Sequence, residues 1–383
     1  MRDGFDDLSI SDLRKRRSEK WRAQPADVLP TFIAEMDYDL APPVAAAVRA
    51  AAERQDLGYA NAAGLGAAFA SFAAARHGWA VAADRVRLLP DVMAGVDWLL
   101  RIVTAQGDGV VINPPVYPPF FEHIRLGGRT VVEVPLVRGA ACWELDFAGL
   151  EAAFAGGARA YLLCNPHNPT GRVFGPGELD RIAALAARYG VFVIADEIHA
   201  PLTLPGAVHT PFVSFPAGAA VGVTLASSSK AFNIAGLKCA VAVSGSADGA
   251  AVVARIPETV RYGSGLLGVL ASEAAWRSGG PWLDALLVQL DRVRVLFGSL
   301  LAARLPGAGY VPPEAGYLAW VDCSSLGWEE PASVFLDRGR VATGRGLDFG
   351  AAGDGFVRVT IGTSSALVEE IVARMARSVS SER

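Results

Sequence analysis

Short apolar runs alternate with stretches of helical period through the middle of the chain. Val86–Pro90 is a brief apolar run, followed by a helical stretch over 92–102. Gly109–Pro115 is a strand ending in a Pro-rich turn, and Thr130–Leu136 is another. Ala158–Pro166 and Gly190–Glu197 read as buried strands on either side of a helix over 178–189. Ala220–Lys230 and Cys239–Gly245 follow, then a long helical region from 250 through 276. Near-continuous apolar strands separated by amphipathic helices predict an α/β fold with a large, doubly wound, mostly parallel sheet. After Gly279-Gly280-Pro281 the pattern changes. A long helix (282–305), a strand (317–322), a further helix and a strand (356–361) mark a smaller α+β domain. The first forty residues contain no complete βαβ unit and are expected to pack on that smaller domain. The expected division is 1–40, a large domain over 41–278 and a small C-terminal domain over 279–383.

Composition narrows the functional classes. The 383 residues are 52% hydrophobic and 19% charged, which excludes disorder and allows a large core. A net charge of −4, with no helix-turn-helix or basic arm, argues against nucleic-acid binding. Pro, Gly or a charge interrupts each apolar run before the ~18 residues that span a bilayer, so no membrane segment is expected. The charged N-terminus has no apolar core of a signal peptide, and a cytoplasmic protein is expected. Cys142, Cys164, Cys239 and Cys323 are scattered without paired histidines, so no metal site is expected. Gly263–Gly268 fits the dinucleotide pattern G-x-G-x-x-G but follows a helical stretch, which speaks against that use. The lysines are Lys15, Lys20, Lys230 and Lys238 only, every other basic residue being arginine. Lys15 and Lys20 fall in a charged segment where arginine is expected to serve as well. Chemistry that needs a lysine amine therefore has few places to go.

In an open parallel sheet, ligands bind beyond the carboxyl ends of the strands. The polar residues there are Asn113 and Tyr117, Asn165 and Asn168, Asp196, and Ser227, Ser229 and Lys230. That set suits pyridoxal 5′-phosphate, which needs a lysine to condense with its aldehyde and a carboxylate to keep its ring nitrogen protonated. Lys230 is the candidate amine and Asp196 the carboxylate. Asn168 is the donor to the phenolic oxygen, and Tyr117 is the ring stacked on the cofactor face. Ser227, Ser229, Lys238 and the amides of Val92 and Met93 at a helix start are candidate phosphate contacts. Asp91 sits badly beside a phosphate unless it turns away to cap that helix.

The order Asn-Pro-x-Gly, strand-Asp, strand-Ser-x-Ser-Lys resembles the fold-type I pyridoxal-phosphate enzymes of the aminotransferase class I/II superfamily. Within it the chain resembles the MalY/PatB group of cystathionine (cysteine-S-conjugate) β-lyases. The resemblance runs from Phe5-Asp6 and Arg16–Trp21 through Ala34–Val44, Gly58–Gly64, Ile112–Phe121, Asn165–Phe174, Ala195–Leu202 and Ser227–Lys238. His167 in N-P-H-N-P and His199 in D-E-I-H carry the likeness to the lyases. The resemblance implies that His199 stands where related aminotransferases place a tyrosine near the phenolic oxygen. It implies that Tyr59 reaches the phosphate of a partner subunit, and hence a homodimer with shared sites. It further implies that Arg358 grips the substrate α-carboxylate, with Asn168 beside it. The family's A-D-M-D-F reads Ala34-Glu35-Met36-Asp37-Tyr38 here, at the substrate entrance, which makes Tyr38 a candidate substrate contact.

The implied reaction is β-elimination of a thiol from a cysteine S-conjugate or cystathionine-like amino acid, giving pyruvate and ammonia. Transamination shares the same early steps and is the main alternative. A secondary-metabolism variant acting on a cysteine-conjugated intermediate is another, and a regulatory protein partner could coexist with either.

Overall fold

The computed structural model describes residues 4–139 and 142–380. Seven strands form the main sheet, in the order Val86–Leu89, Ala240–Val243, Gly222–Ala226, Phe192–Asp196, Ala160–Cys164, Gly109–Ile112 and Thr130–Glu133. Neighbours from Gly222–Ala226 to Thr130–Glu133 pair in parallel. Only Ala240–Val243 runs against its two neighbours. The period-two rule divides each strand between two apolar layers. Tyr161 and Leu163 face the larger core, while Ala160, Leu162 and Cys164 face the second. Both faces are thus covered, as the unbroken apolar runs predicted.

The helical reading needed revision in two places. The expected helix over 250–276 is two helices, Ala247–Ala254 and Leu266–Ser278, with a 3₁₀ segment, Glu258–Gly263, between them. Pro257 precedes the 3₁₀ segment, and a proline restrains the residue before it from continuing a helix. The Gly263–Gly268 motif therefore opens a helix with no strand before it, unlike a dinucleotide site. The helices Pro42–Glu53 and Leu65–His77 carried little sequence signal, being rich in alanine, which fits either face of a helix.

A four-stranded antiparallel sheet, ordered Gly309–Tyr310, Leu318–Asp322, Phe356–Thr360, Gly344–Arg345, lies in the C-terminal part. Arg358 stands in register with Trp320 on its central pair. The N-terminal segment is tied to this region. Leu29 and Pro30 pair with Val341 and Ala342, Thr360 N–H donates to Thr31 O, and Asp37 N–H donates to Gly362 O. Among the described residues no helix is long and apolar enough to cross a membrane.

Lys20 departs from the expectation that arginine would serve as well at its place. It is 2% exposed, and its Nζ donates to Asp37 Oδ1 at 2.8 Å and to Glu35 O at 2.9 Å. Trp21 Nε1 donates to the same carboxylate oxygen at 2.9 Å. Removing one partner of such a pair leaves a buried charge uncompensated, at a cost of about 3–5 kcal/mol. Lys20→Ala is therefore expected to lower the urea midpoint of unfolding by that much stability, whereas Lys15→Ala, at an exposed pair with Asp12, should change it by under about 1 kcal/mol.

Candidate active site

A cavity of about 490 Å³ opens where the parallel strands end. Asp196 is the last residue of its strand and lies on its floor, in register with Cys164 and Leu225 of the flanking strands. Among the described residues its carboxylate has one hydrogen bond, accepted from the Ile198 N–H at 3.1 Å. Burial pushes its carboxyl up to about 7. Lys230 reaches the same cavity from the turn after Gly222–Ala226, and its Nζ donates to Ala34 O at 3.0 Å. Loss of water and the nearby Arg358 cation bring that amine down to about 8. An amine and a carboxyl thus share the cavity with no ion pair between them among the described residues, and burial shifts each towards its neutral form.

Asn168 lines the cavity, and its Oδ1 accepts from Arg358 Nη1 at 3.2 Å. Arg358 Nη2 donates to Phe32 O at 2.7 Å, and the guanidinium lies 5.0 Å from the centre of the Phe349 ring. Its Nε is buried with no hydrogen-bond partner among the described residues, and burial lowers the group to about 10. A planar fork with its Nε–H unspent suits a carboxylate. His199 also lines the cavity; burial, then Lys230 and Arg358, depress it to about 3, so the imidazole is neutral. Tyr117 forms part of the wall, its phenol held above its usual range by burial and by Asp196.

At the other end, Ser227 and Ser229 face the cavity beside Val92 and Met93, the first residues of the helix Val92–Val103. Ser227 Oγ donates to Cys239 O at 2.6 Å and accepts from Ser229 N–H at 3.1 Å. Asp91 caps that helix, its Oδ1 accepting from Ala94 N–H at 2.8 Å, but it does not turn away: Oδ2 lies 2.9 Å from Lys238 Nζ.

Other sequence candidates lie elsewhere. Tyr38 does not line the cavity; its ring is buried against Phe5 and its hydroxyl donates to Thr363 O at 2.6 Å. Burial beneath the N-terminal segment uses that side chain for packing, which corrects its reading as a substrate contact. Asn113 is spent on Val134 O and the Tyr161 hydroxyl, and His167 on Asn113 O and Thr170 Oγ1. Tyr59 is 84% exposed, edge-on to Tyr262 with ring centres 5.5 Å apart, and away from this chain's own cavity. The sequence reading missed the Ala34 carbonyl, which accepts from both Lys230 Nζ and the Tyr317 hydroxyl, each at 3.0 Å. It also missed Asp97 and His123, paired at 2.8 Å on the wall. Neither has a local signal, because each joins segments distant in sequence.

The donor set fits pyridoxal 5′-phosphate. A buried carboxylate with a single amide partner awaits a cation such as a protonated ring nitrogen, an amine stands near it, and hydroxyls and helix-end amides gather at the far end.

Residues 33–375 match the aminotransferase class I and II family, and the chain belongs to it. It is 45% identical to a Mycobacterium leprae protein provisionally named cystathionine beta-lyase, over 98% of each chain. The cystathionine beta-lyase PatB of Bacillus subtilis is 32% identical, over 92% of this chain and 93% of its own. The PLP-bound C-S lyase from Staphylococcus hominis superposes with a TM-score of 0.90 at 26% identity, over 98% of each chain.

The depressed amine has a cost in stability. Folding disfavours the charged form of Lys230, so the penalty is fully present below about pH 8 and fades as pH rises towards 10.5, its ordinary value. Without cofactor, Lys230→Met is expected to stabilise the chain by about 2 kcal/mol at pH 7, with the gain shrinking above pH 8 in urea titrations.

Proposed function

We propose that the chain is a pyridoxal-phosphate-dependent C–S β-lyase that releases a thiol, pyruvate and ammonia from a cysteine S-conjugate or cystathionine-like amino acid. The observation that carries it is the approach of Lys230 and Asp196 to one cavity, in a chain whose relatives are named for this cleavage. Lys230 would hold the cofactor, Asp196 its ring nitrogen, Asn168 and His199 its phenolic side and Tyr117 its face. Ser227, Ser229, Lys238 and the Val92 and Met93 amides would hold its phosphate. When bound, the cofactor draws electrons from the substrate Cα, which makes the Cα proton removable.

The residues supply the rest. Arg358 has a free Nε and a fork already fixed by Asn168 and Phe32 O, so it would orient the α-carboxylate. With its amine near 8, Lys230 is neutral often enough to take the Cα proton, and Ala34 O would guide it between positions. As the Cβ–S bond breaks, its electron pair leaves on sulfur. The proton carried by Lys230 can neutralise that thiolate, and water completes the release of pyruvate and ammonia.

The division into 1–40, 41–278 and 279–383 is part of this reading, with Arg358 brought to the large sheet by the smaller part. The exposed Tyr59 and Tyr262 support a homodimer in which Tyr59 completes the partner's site. The fitting location is the cytoplasm.

A panel of cysteine S-conjugates tests the reaction. Pyruvate and thiol should appear in equal amounts with no oxo acid added; dependence on an added oxo acid would instead establish transamination. Lys230→Ala should abolish turnover. Arg358→Lys should raise KM about tenfold or more with a smaller effect on kcat, since a lysine cannot reproduce the bidentate fork.

A further inference from the structure

One end of the cavity carries charges that a phosphate should not favour. Asp91, Asp97, His123 and Lys238 all line it. His123 is engaged by Asp97, and Lys238 by Asp91. Lys238, the lysine at this end that could serve an anion, is therefore already met by a carboxylate. Burial works against the Asp91 carboxylate, yet the Ala94 amide and Lys238 together keep it below its ordinary value, so it stays ionised. Lys238 has a left-handed backbone, φ 58, which a lysine adopts only when its surroundings hold it.

The two oxygens of Asp91 take the two kinds of donor a phosphate takes. Oδ1 has the amide of the third residue of a helix, and Oδ2 has a lysine ammonium. We propose that Asp91 is an internal mimic of the cofactor's phosphate, holding Lys238 and the helix-end amide when no phosphate is bound and competing for them when one arrives. Asp91 thereby sets how tightly the phosphate is kept. This rests on the pyridoxal-phosphate reading and extends it: Ser227, Ser229 and the Val92 and Met93 amides hold the phosphate, and Lys238 is shared. The cofactor is then held less by charge than by its bond to Lys230.

The test removes the charge and keeps the cap. Asn and Ser both cap helices well, so Asp91→Asn and Asp91→Ser preserve the helix start. The full chain, stripped of cofactor, is titrated with pyridoxal 5′-phosphate and separately with pyridoxal, which has the aldehyde but no phosphate. The visible absorbance of the lysine-bound cofactor reports uptake. Both variants should bind pyridoxal phosphate about three- to tenfold more tightly than the parent, the scale of one partly exposed charge pair, and pyridoxal within about twofold of it. If Asp91→Asn does not fold, Asp91→Ser decides. Unchanged or weaker phosphate-form binding overturns the proposal, as does equal tightening of both ligands, which would place the effect away from the phosphate. A parent protein that takes up neither aldehyde overturns the cofactor reading itself.

Discussion

The site depends on keeping an amine and a carboxylate short of water without letting them neutralise each other. Asp196 meets one backbone amide and Lys230 one backbone carbonyl, so neither reaches the full solvation it would have in water. Desolvating a charge costs several kcal/mol, and a side chain free to move would relieve that cost by turning outward. Here the relief is blocked. Asp196 ends a strand bonded on both sides, and Lys230 follows the next strand through a turn tied by Ser227 and Cys239. The stress appears instead as displaced proton affinities, up for the acid and down for the base; the lowered amine suits Lys230 to take a proton, and a cation such as a protonated ring nitrogen would return Asp196 to its charged form.

The N-terminal segment closes this arrangement. Ala34 O meets the Lys230 amine and the Tyr317 hydroxyl, and Phe32 O takes one arm of Arg358. The same segment is pinned below by Lys20, Trp21 and Asp37, and at its edges by pairing with residues near 341 and 362. Backbone carbonyls thus hold the two cations of the site. A carbonyl orients an ammonium or guanidinium without adding a charge that would raise the amine's proton affinity as a carboxylate would.

What could be read from the sequence was what lies along one strand and its end. The sheet was legible because its strands are continuously apolar, and Asp196, Asn168, Ser227, Ser229 and Lys230 because each lies at the end of one or within four residues beyond it. Contacts made across the fold left no such mark. Tyr38 stood in a segment that resembles a substrate entrance, yet its ring is spent beneath Phe5 while the carbonyls beside it face the site. The break at Pro257 was visible as a residue but overridden by the apolar spacing on either side. Asp91 was rightly suspected of capping a helix, though its second oxygen, turned to Lys238, follows only from the antiparallel pairing of Val86–Leu89 with Ala240–Val243.

The scarcity of lysine sharpens this. In a chain that uses arginine almost everywhere, two of the four lysines occupy places where a guanidinium would fail, for different reasons. At Lys230 it would not condense with an aldehyde. At Lys20 the charge is met by a carbonyl and one carboxylate oxygen inside the fold, contacts that a compact ammonium satisfies, whereas a planar fork would bring further donors to be buried. At Lys238 an arginine could bind Asp91 bidentately and lock the pair, whereas the proposed sharing with a phosphate would need a point charge on a flexible stem. Lys15 alone, exposed beside Asp12, has no such requirement.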